Sequence, residues 1–445
     1  MFVFIEIVSI SSYILIAYLL KPGSLWACLR YLLLSSLSIA VFLLGLFLVY
    51  QVMGTFSLRL IAASLNGSGE ALAAEAAPAA GKALGLAAAA LTVGIGLKAA
   101  FVPLHTWLPD AHAAAPHPIS ALLSGVMIKI SFLAVWRILS TFSSTGIQAL
   151  FRWLGPLTAL LAVILALSQT DSKRLLAFHS VSQMGLITAA YGAAAGGDFA
   201  GLVASLAHVL SHCLFKSLLF LSVGAAIHLT GRRDLERGPQ AGIAPPPWLM
   251  IFFLVGALSI SGLPPFNGYV SKTLVVSLFK SSPLLATALR LTSIGTAASM
   301  IKLSGMFLPG RPAATGKPAL SPLCLIALAL LALLCLAGGI APRFLIGSLI
   351  GPAVGAGRTP APPVYSARHL LESGIYAALA AGLFLLVRTR PAHRVLKGLR
   401  SVRLSLDGAL LLVVAAVVLF AVMGSILGNA AGGLLYPSPF SLFSR

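Results

Sequence analysis

Long runs of apolar residues, separated by short polar connections, recur along the whole chain of 445 residues. A helix needs about 20 such residues to cross the hydrocarbon core of a bilayer. On that measure the pattern predicts an all-α polytopic membrane protein with about twelve transmembrane helices and no soluble domain. The predicted spans lie near residues 2–20, 31–52, 84–104, 119–141, 147–168, 174–195, 199–229, 246–280, 287–308, 320–340, 369–388 and 405–428.

Two of the predicted spans contain a break at proline. The third carries Lys98 five residues before Pro103, and the eighth, too long for one helix, contains Pro265 with Lys272 seven residues further on. A helix can break at membrane depth only where protein or a watery cavity covers the freed backbone groups. The breaks are five spans apart, an odd number, so the second unit crosses the membrane in the opposite direction. This pattern predicts inverted repeats with two discontinuous helices and a site beside them.

Composition and charge agree with a membrane protein and exclude one class of partner. Only 9% of the residues are charged, against about 25% in soluble domains. The net charge of +20 would suit nucleic acid, but the Lys and Arg residues flank the apolar runs as topology signals do, so no nucleic-acid partner is expected. The connections that hold Lys21, Arg174 and Arg388 are richer in basic residues, which predicts that they are cytoplasmic. Segments 53–83 and 341–368 are predicted to be exposed loops.

No cofactor or metal is expected in this chain. The four cysteines show no C-x-x-C spacing, which argues against zinc or an iron–sulfur cluster. No part of the sequence suggests a site for a flavin or a nicotinamide. Any redox chemistry would therefore belong to other subunits.

Several titratable side chains lie inside predicted spans, where a charge is costly and usually functional. These candidate residues are Glu6, Lys98, Lys129, His208, His212, Lys216 and Lys272. The three on the seventh span are spaced i, i+4, i+8, so a helix places them on one stripe roughly 12 Å long. Histidine titrates near neutral pH, and a row of such groups suits stepwise proton transfer with waters between them. One buried lysine could be a structural partner, but the whole set indicates an ion path.

Most other polar residues near the spans are expected to be structural, and for Lys302 a structural and a functional role stay equally open. Two histidines lie near span ends, one lysine is placed to reach the membrane surface, and three residues follow the first break and could cap or line it. They are His179 and His228, Lys302, and His105, Asp110 and His112.

These motifs resemble the proton-antiporter-type membrane subunit family, found in respiratory complex I, Mrp-type sodium/proton antiporters and membrane-bound hydrogenases. The resemblance covers roughly Glu6 to Leu308, which defines a core of residues 1–308 followed by additional C-terminal transmembrane helices in 309–445. The strongest motif is Lys98…Pro-Leu-His-Thr-Trp-Leu-Pro-Asp-Ala-His112 with Pro-Ile-Ser-Ala-Leu-Leu-Ser-Gly-Val-Met-Ile-Lys129. Supporting motifs are Asp171-Ser-Lys-Arg-Leu-Leu-Ala-Phe-His179, His208-Val-Leu-Ser-His-Cys-Leu-Phe-Lys216 and Ser261-Gly-Leu-Pro-Pro-Phe-Asn-Gly-Tyr-Val-Ser-Lys272.

The resemblance implies a role for each candidate residue. Glu6 corresponds to the glutamate that pairs with the central pumping lysine, which corresponds to Lys98. Lys129 corresponds to a bridging position and Lys272 to the exit-side lysine of the broken helix. The connecting residues of the family's eleventh helix correspond to His208, His212 and Lys216.

The same resemblance leaves the complex open. It implies a proton-translocating subunit of a redox-driven pump, such as NADH-quinone oxidoreductase or an energy-converting hydrogenase, in the cell membrane of a prokaryote. Expected partners are other membrane subunits, redox subunits on separate chains, and the lipid bilayer. The alternatives are an Mrp-type sodium/proton antiporter without redox coupling, or a non-pumping scaffold remnant. The first span matches the family's fifth helix, so a truncated or split gene product is expected.

Overall fold

The computed structural model describes residues 2–65, 77–142, 145–194, 198–236, 245–308, 320–354, 364–401 and 405–430. In these ranges the chain is helical, apart from its connections and one isolated bridge between Asp171 and Asp234. The helices are α1 (Phe2–Ala17), α2 (Pro22–Met53), α3 (Leu58–Leu65), α4 (Ala77–Ala99), α5 (Leu108–Ala114), α6 (His117–Leu122), α7 (Ile128–Thr141), α8 (Thr145–Ser168), α9 (Ser172–Ala193), α10 (Phe199–Thr230), α11 (Pro247–Ser261), α12 (Asn267–Ser277), α13 (Pro283–Ser304), α14 (Pro322–Ile340), α15 (Gly351–Ala353), α16 (Ala367–Val387), α17 (Arg390–Ser401) and α18 (Leu406–Ala430).

The predicted fold class is confirmed. In the described part of the chain, nine helices are long and apolar enough to cross a membrane, and α1 and α11 are shorter apolar helices. Helix α9 has 22 residues and lies in a predicted span, but it is less apolar than these nine helices. Neighbouring helices, chiefly α8 and α10, bury nearly all of its side chains, so α9 needs none of the apolar surface that lipid demands.

The two predicted discontinuous helices are also confirmed. Residues 100–107 separate α4 from α5, and residues 262–266 separate α11 from α12. The long helix before each broken pair, α2 or α10, has 32 residues and ends at a glycine in the left-handed region, Gly54 at φ +65° or Gly231 at φ +67°. This correspondence between the two halves is what an inverted repeat requires.

The inverted direction of the two units explains where their lysines lie. The end of the bundle at which α2, α9 and α17 begin carries Arg30, Arg174 and Arg388, and it is called the basic face below. Helix α4 runs toward the basic face, whereas α11 and α12 run away from it. Lys98 precedes the first break and Lys272 follows the second. Each lysine therefore lies in the half of its own broken helix that is farther from the basic face.

Protein covers both breaks, as a break at membrane depth requires. Helix α18 places the ring of Phe420 6.2 Å from that of Phe101, which lies in the first break. Gly339 of α14 lies against the second break so closely that a Cβ there would come within 1.9 Å of the Pro265 carbonyl oxygen. The C-terminal helices therefore pack on the two places where the core helices are interrupted.

Two regions expected to be exposed loops are partly folded, so that prediction is wrong for them. Helix α3 lies within segment 53–83. In segment 341–368, a π-helical turn, Phe344–Ile350, leads into α15 and buries Ile346 and Ile350. These two residues are one helical turn apart, a pattern too short to be read as a span. Residues 66–76 and 355–363 of the two segments lie outside the described residues.

Helix α2 begins at Pro22, nine positions earlier than the apolar run indicates. Proline is well suited to the first turn of a helix because it has no N–H to leave unsatisfied. The additional turns contain Arg30, whose guanidinium forms an ion pair with Asp110 at 2.8 Å. Because Asp110 neutralises Arg30, this charge does not end the helix. The two residues are 80 positions apart, so the sequence around Arg30 does not reveal its partner.

Candidate functional site

Glu6 of α1 and Lys98 of α4 form an ion pair, called the first ion pair below. The Lys98 ammonium donates hydrogen bonds to the Glu6 carboxylate and, at 2.6 Å, to the Ser9 hydroxyl. The Lys98 side chain is 3% exposed and that of Glu6 is 17% exposed. A buried charge is tolerated only with such partners. Any movement of α1 relative to α4 would therefore change how well the lysine charge is stabilised.

Lys129 lies just after a π-helical turn, Leu123–Met127, that joins α6 to α7. In that turn the Ile128 N–H bonds to the Leu123 carbonyl oxygen, five residues back. Because the backbone hydrogen bond of this turn spans five residues instead of four, the Ser124 carbonyl oxygen is available to a side chain. It accepts a hydrogen bond from the buried Lys129 ammonium. Single π turns of this kind occur often at functional sites. The hydrophobic pattern of the sequence does not predict this π turn.

Tyr31 of α2 connects the surroundings of the first ion pair to those of Lys129. Its buried hydroxyl accepts a hydrogen bond from Ser12 at 3.5 Å and donates to the Met127 sulfur at 3.9 Å. Ser12 belongs to the same helix as Glu6, and Met127 closes the π turn before Lys129. The sequence does not single out Tyr31, because one tyrosine in an apolar run usually belongs to the core.

The structure places His208, His212 and Lys216 on one fully buried stripe of α10. The two imidazole rings are 6.3 Å apart between centroids. His208 shares hydrogen bonds with Ser271 of α12 at 2.9 Å and with Gln183 of α9 at 3.2 Å. The stripe therefore faces the core between α9 and the second broken helix.

The last residue of the stripe is held by α9. The Lys216 ammonium donates to the Leu176 carbonyl oxygen and lies 4.9 Å from the centroid of the Phe220 ring. Both contacts favour the charged lysine without a carboxylate.

His212 is the centre of the cluster. The charges of Lys129, Lys216 and Lys272 all act on its imidazole. Among the residues that the structure describes, neither ring nitrogen of His212 nor the buried Lys272 ammonium has a hydrogen-bond partner. Buried polar groups in proteins are normally satisfied, by ordered water where protein does not reach them. These groups are therefore where water would enter the path.

Two histidines that were expected to be structural belong to the same cluster. His112, fully buried, stacks on Phe220 at 4.7 Å, and the charges of Lys129 and Lys216 act on it. His179 lies two turns inside α9, shares a hydrogen bond with Ser299, and is also close enough to be influenced by Lys216. Neither belongs to a repeated spacing in the sequence, so only the packing of helices reveals the association.

An ionic network fixes the basic face above this cluster. Asp110 of α5 pairs with Arg30 at 2.8 Å and with Arg174 of α9 at 3.1 Å. Asp171, which caps α9 through the Arg174 N–H at 2.9 Å, pairs with Arg233 beyond the end of α10. The expectation that Asp110 is structural agrees with these contacts. The network holds the short helix after the first break against the two helices on either side.

Comparison with protein families identifies the class of this assembly. The family model described as "NADH:quinone oxidoreductase/Mrp antiporter, TM" matches residues 1–297. The chain belongs to this family. The family match contains every candidate residue from Glu6 to Lys272, together with both broken helices.

Known proteins of three kinds are similar to this family member. It is 34% identical to hydrogenase-4 component B of Escherichia coli, with 66% of this chain and 48% of the relative aligned. It is 35% identical to NADH-quinone oxidoreductase subunit N of Desulforudis audaxviator, over 62% of this chain and 53% of the relative. A solved structure of the membrane-bound sulfane sulfur reductase, an archaeal respiratory membrane complex, contains a chain with a TM-score of 0.68 and 26% identity, covering 85% of this chain and 73% of that one. The chain spans about half the length of the curated relatives it matches.

Proposed function

We propose that this chain translocates protons as an antiporter-like subunit of a redox-driven pump, such as an NADH-quinone oxidoreductase or an energy-converting hydrogenase. The observation that supports the proposal is a set of titratable groups, six of them buried, in the core from the first broken helix to the second; this set is called the line of titratable groups below. Packing alone does not require so many costly groups in one protein interior. The line consists of Glu6, Lys98, Lys129, His208, His212, Lys216 and Lys272.

Repulsion between the positive charges of the buried lysines supplies a mechanism for proton transfer. The charges of Lys129, Lys216 and Lys272 all act on His212, and like charges that influence the same buried group cannot all be held without cost. A proton that arrives at one group therefore favours release of a proton from its neighbour. A change at the first ion pair would begin the sequence, because separating Glu6 from Lys98 removes the lysine's only carboxylate partner among the described residues. Lys272, beyond the second break, would release the proton.

Energy and electrons would come from other subunits. The relatives include, by name, a component of a hydrogenase and a subunit of a quinone oxidoreductase. We infer that this chain works beside other membrane subunits and separate redox subunits in the plasma membrane of a prokaryote, and that it carries no cofactor of its own. Its path of lysines and histidines supplies proton transfer but no electron carrier.

An Mrp-type sodium/proton antiporter is the second candidate, because the family description names both kinds of complex. The same buried groups would transfer protons in a redox-driven pump or in a sodium/proton antiporter. A sodium requirement for proton movement, together with transport in the absence of redox subunits, would favour the antiporter. Proton movement that is independent of sodium and coupled to electron transfer would favour the redox pump. A scaffold remnant would move no ions.

Replacing Lys272 tests the proposal directly. In proteoliposomes of the whole complex, Lys272→Met is expected to slow proton uptake under an imposed potassium diffusion potential by about tenfold, because water bridges only part of the gap left by a proton-transfer group. The measurement is the quenching of a pH-sensitive dye. Lys280→Met is the matched control, since Lys280 is exposed just beyond the end of α12. Equal rates for Lys272→Met and the wild type would refute the assigned role.

Tyr31→Phe tests the connection between the first ion pair and Lys129. The substitution removes the hydroxyl but retains the ring, which stacks on Trp107 at 4.0 Å. Proton uptake in the same assay is expected to fall about threefold, since a water can replace part of what one hydroxyl supplies. Tyr50→Phe on the same helix is the control, because Tyr50 is exposed. If both variants transport alike, Tyr31 is only a packing residue.

A further inference from the structure

A cavity of about 590 Å³ lies at the basic face, outside the line of titratable groups. The ends of α8, α13 and α16, the loop after α10, and α17 enclose it. Most of the residues in this wall lie after the end of the family match at residue 297. The cavity is therefore a separate feature, with a chemistry of its own.

Basic side chains dominate the polar part of the cavity. Lys302, Arg388, Lys397 and Arg400 line it, together with one carboxylate, Glu236. Glu236 pairs with Arg400 at 3.2 Å, which leaves an excess of positive charge. This excess would attract an anion.

Backbone carbonyl groups hold the side chain of Lys302 in place. Its ammonium donates to the carbonyl oxygens of Leu167 at 3.0 Å and Gln169 at 2.7 Å. An ammonium has three N–H donors, so these two contacts leave one for a ligand. The lysine is thus a fixed cationic group in the wall of the cavity.

The rest of the lining is apolar and continues onto surface that faces lipid. Leu308 and Ile301 of the lining are 54% and 36% exposed. On α16, next to the cavity, Leu385 and Leu386 are 64% and 58% exposed. Helix α17 carries basic residues along one side and Leu396 toward the cavity, the pattern of a helix that lies in the membrane interface. A ligand here would have an anionic head and apolar chains.

We propose that this cavity binds an anionic phospholipid, with its phosphate group among Lys302, Arg388 and Lys397 and its acyl chains along α13 and α16. Phosphate is the chemistry that such a basic cluster recognises, and basic pockets between transmembrane helices commonly take lipid headgroups. Free phosphate would use the same cations but would leave the adjoining apolar wall without a partner. The lipid satisfies both parts of the site and secures α17 to the bundle.

Native mass spectrometry of the intact complex, released from phosphatidylcholine nanodiscs that contain graded fractions of phosphatidylglycerol, tests the proposal. Arg388→Gln combined with Lys397→Gln removes two charges from the cavity. Arg390→Gln combined with Arg394→Gln removes two from the same stretch without touching the lining. Each basic group is worth roughly fivefold in affinity for an anionic headgroup, so the first pair of substitutions should weaken retention of phosphatidylglycerol about 25-fold.

Three results decide the matter. Loss of bound phosphatidylglycerol in the lining variant, with retention in the wild type and the control, supports the site. Equal retention in both variants overturns it. Displacement of phosphatidylglycerol by inorganic phosphate added to the aqueous phase overturns the lipid in favour of a soluble anion. The proton uptake of both variants should match the wild type, which separates this site from the ion path.

Discussion

Lys98→Ala is expected to abolish proton translocation, with a loss of about two orders of magnitude or more. The substitution removes the ammonium that Glu6 and Ser9 hold in the first ion pair, and among the described residues no other basic side chain pairs with that carboxylate. Proton uptake by proteoliposomes of the whole complex is the measurement. Lys82→Ala is the matched control, because Lys82 lies on the same helix and is exposed.

Loss of activity must be distinguished from loss of the fold. Removing one partner of a buried ion pair destabilises a protein by about 3 kcal/mol or more, because the other charge is left without compensation. Glu6→Gln combined with Lys98→Ala removes both charges and should recover most of the unfolding temperature without recovering transport. Transport at the wild-type rate in Lys98→Ala would contradict the role of the first ion pair.

The fold is largely predictable from the sequence because lipid imposes one simple rule. A helix that faces lipid must be apolar for about 20 residues, and this rule finds nearly every long helix and both broken ones. It fails where protein replaces lipid as the neighbour. The start of α2 is missed, because Arg30 lies within this helix and pairs with Asp110. Such partners are distant in sequence and carry no local signal.

The site is predictable only where its residues share one helix. The spacing of His208, His212 and Lys216 fixes them on one side of α10 whatever surrounds that helix. By contrast, His112 joins the cluster through its stacking on Phe220 of α10, and His179 joins it because α9 packs against α10. The π turn before Lys129 follows from local bonding that the hydrophobic pattern does not encode.

The close approach of α8 and α9 holds His179 and Gln183 in place, and glycine makes it possible. A Cβ on Gly185 would lie 2.5 Å from the backbone nitrogen of Ala159 and 2.7 Å from the carbonyl oxygen of Gly155. Backbone atoms in the middle of a helix cannot rotate away as a side chain would. Small residues at such crossings allow helices to approach within a membrane, where no hydrophobic force drives them together.

Gly185→Ala is therefore expected to destabilise the protein by about 2 kcal/mol or more, although alanine is the better helix former. The measurement is the unfolding temperature of the purified complex in detergent. Gly382→Ala on α16 is the control, since no heavy atom lies within 4 Å of the added Cβ there, and its unfolding temperature should stay the same or rise slightly. If Gly185→Ala behaves like Gly382→Ala, the two helices are free to separate. In that case the alignment of α9 with the stripe on α10 does not depend on their contact.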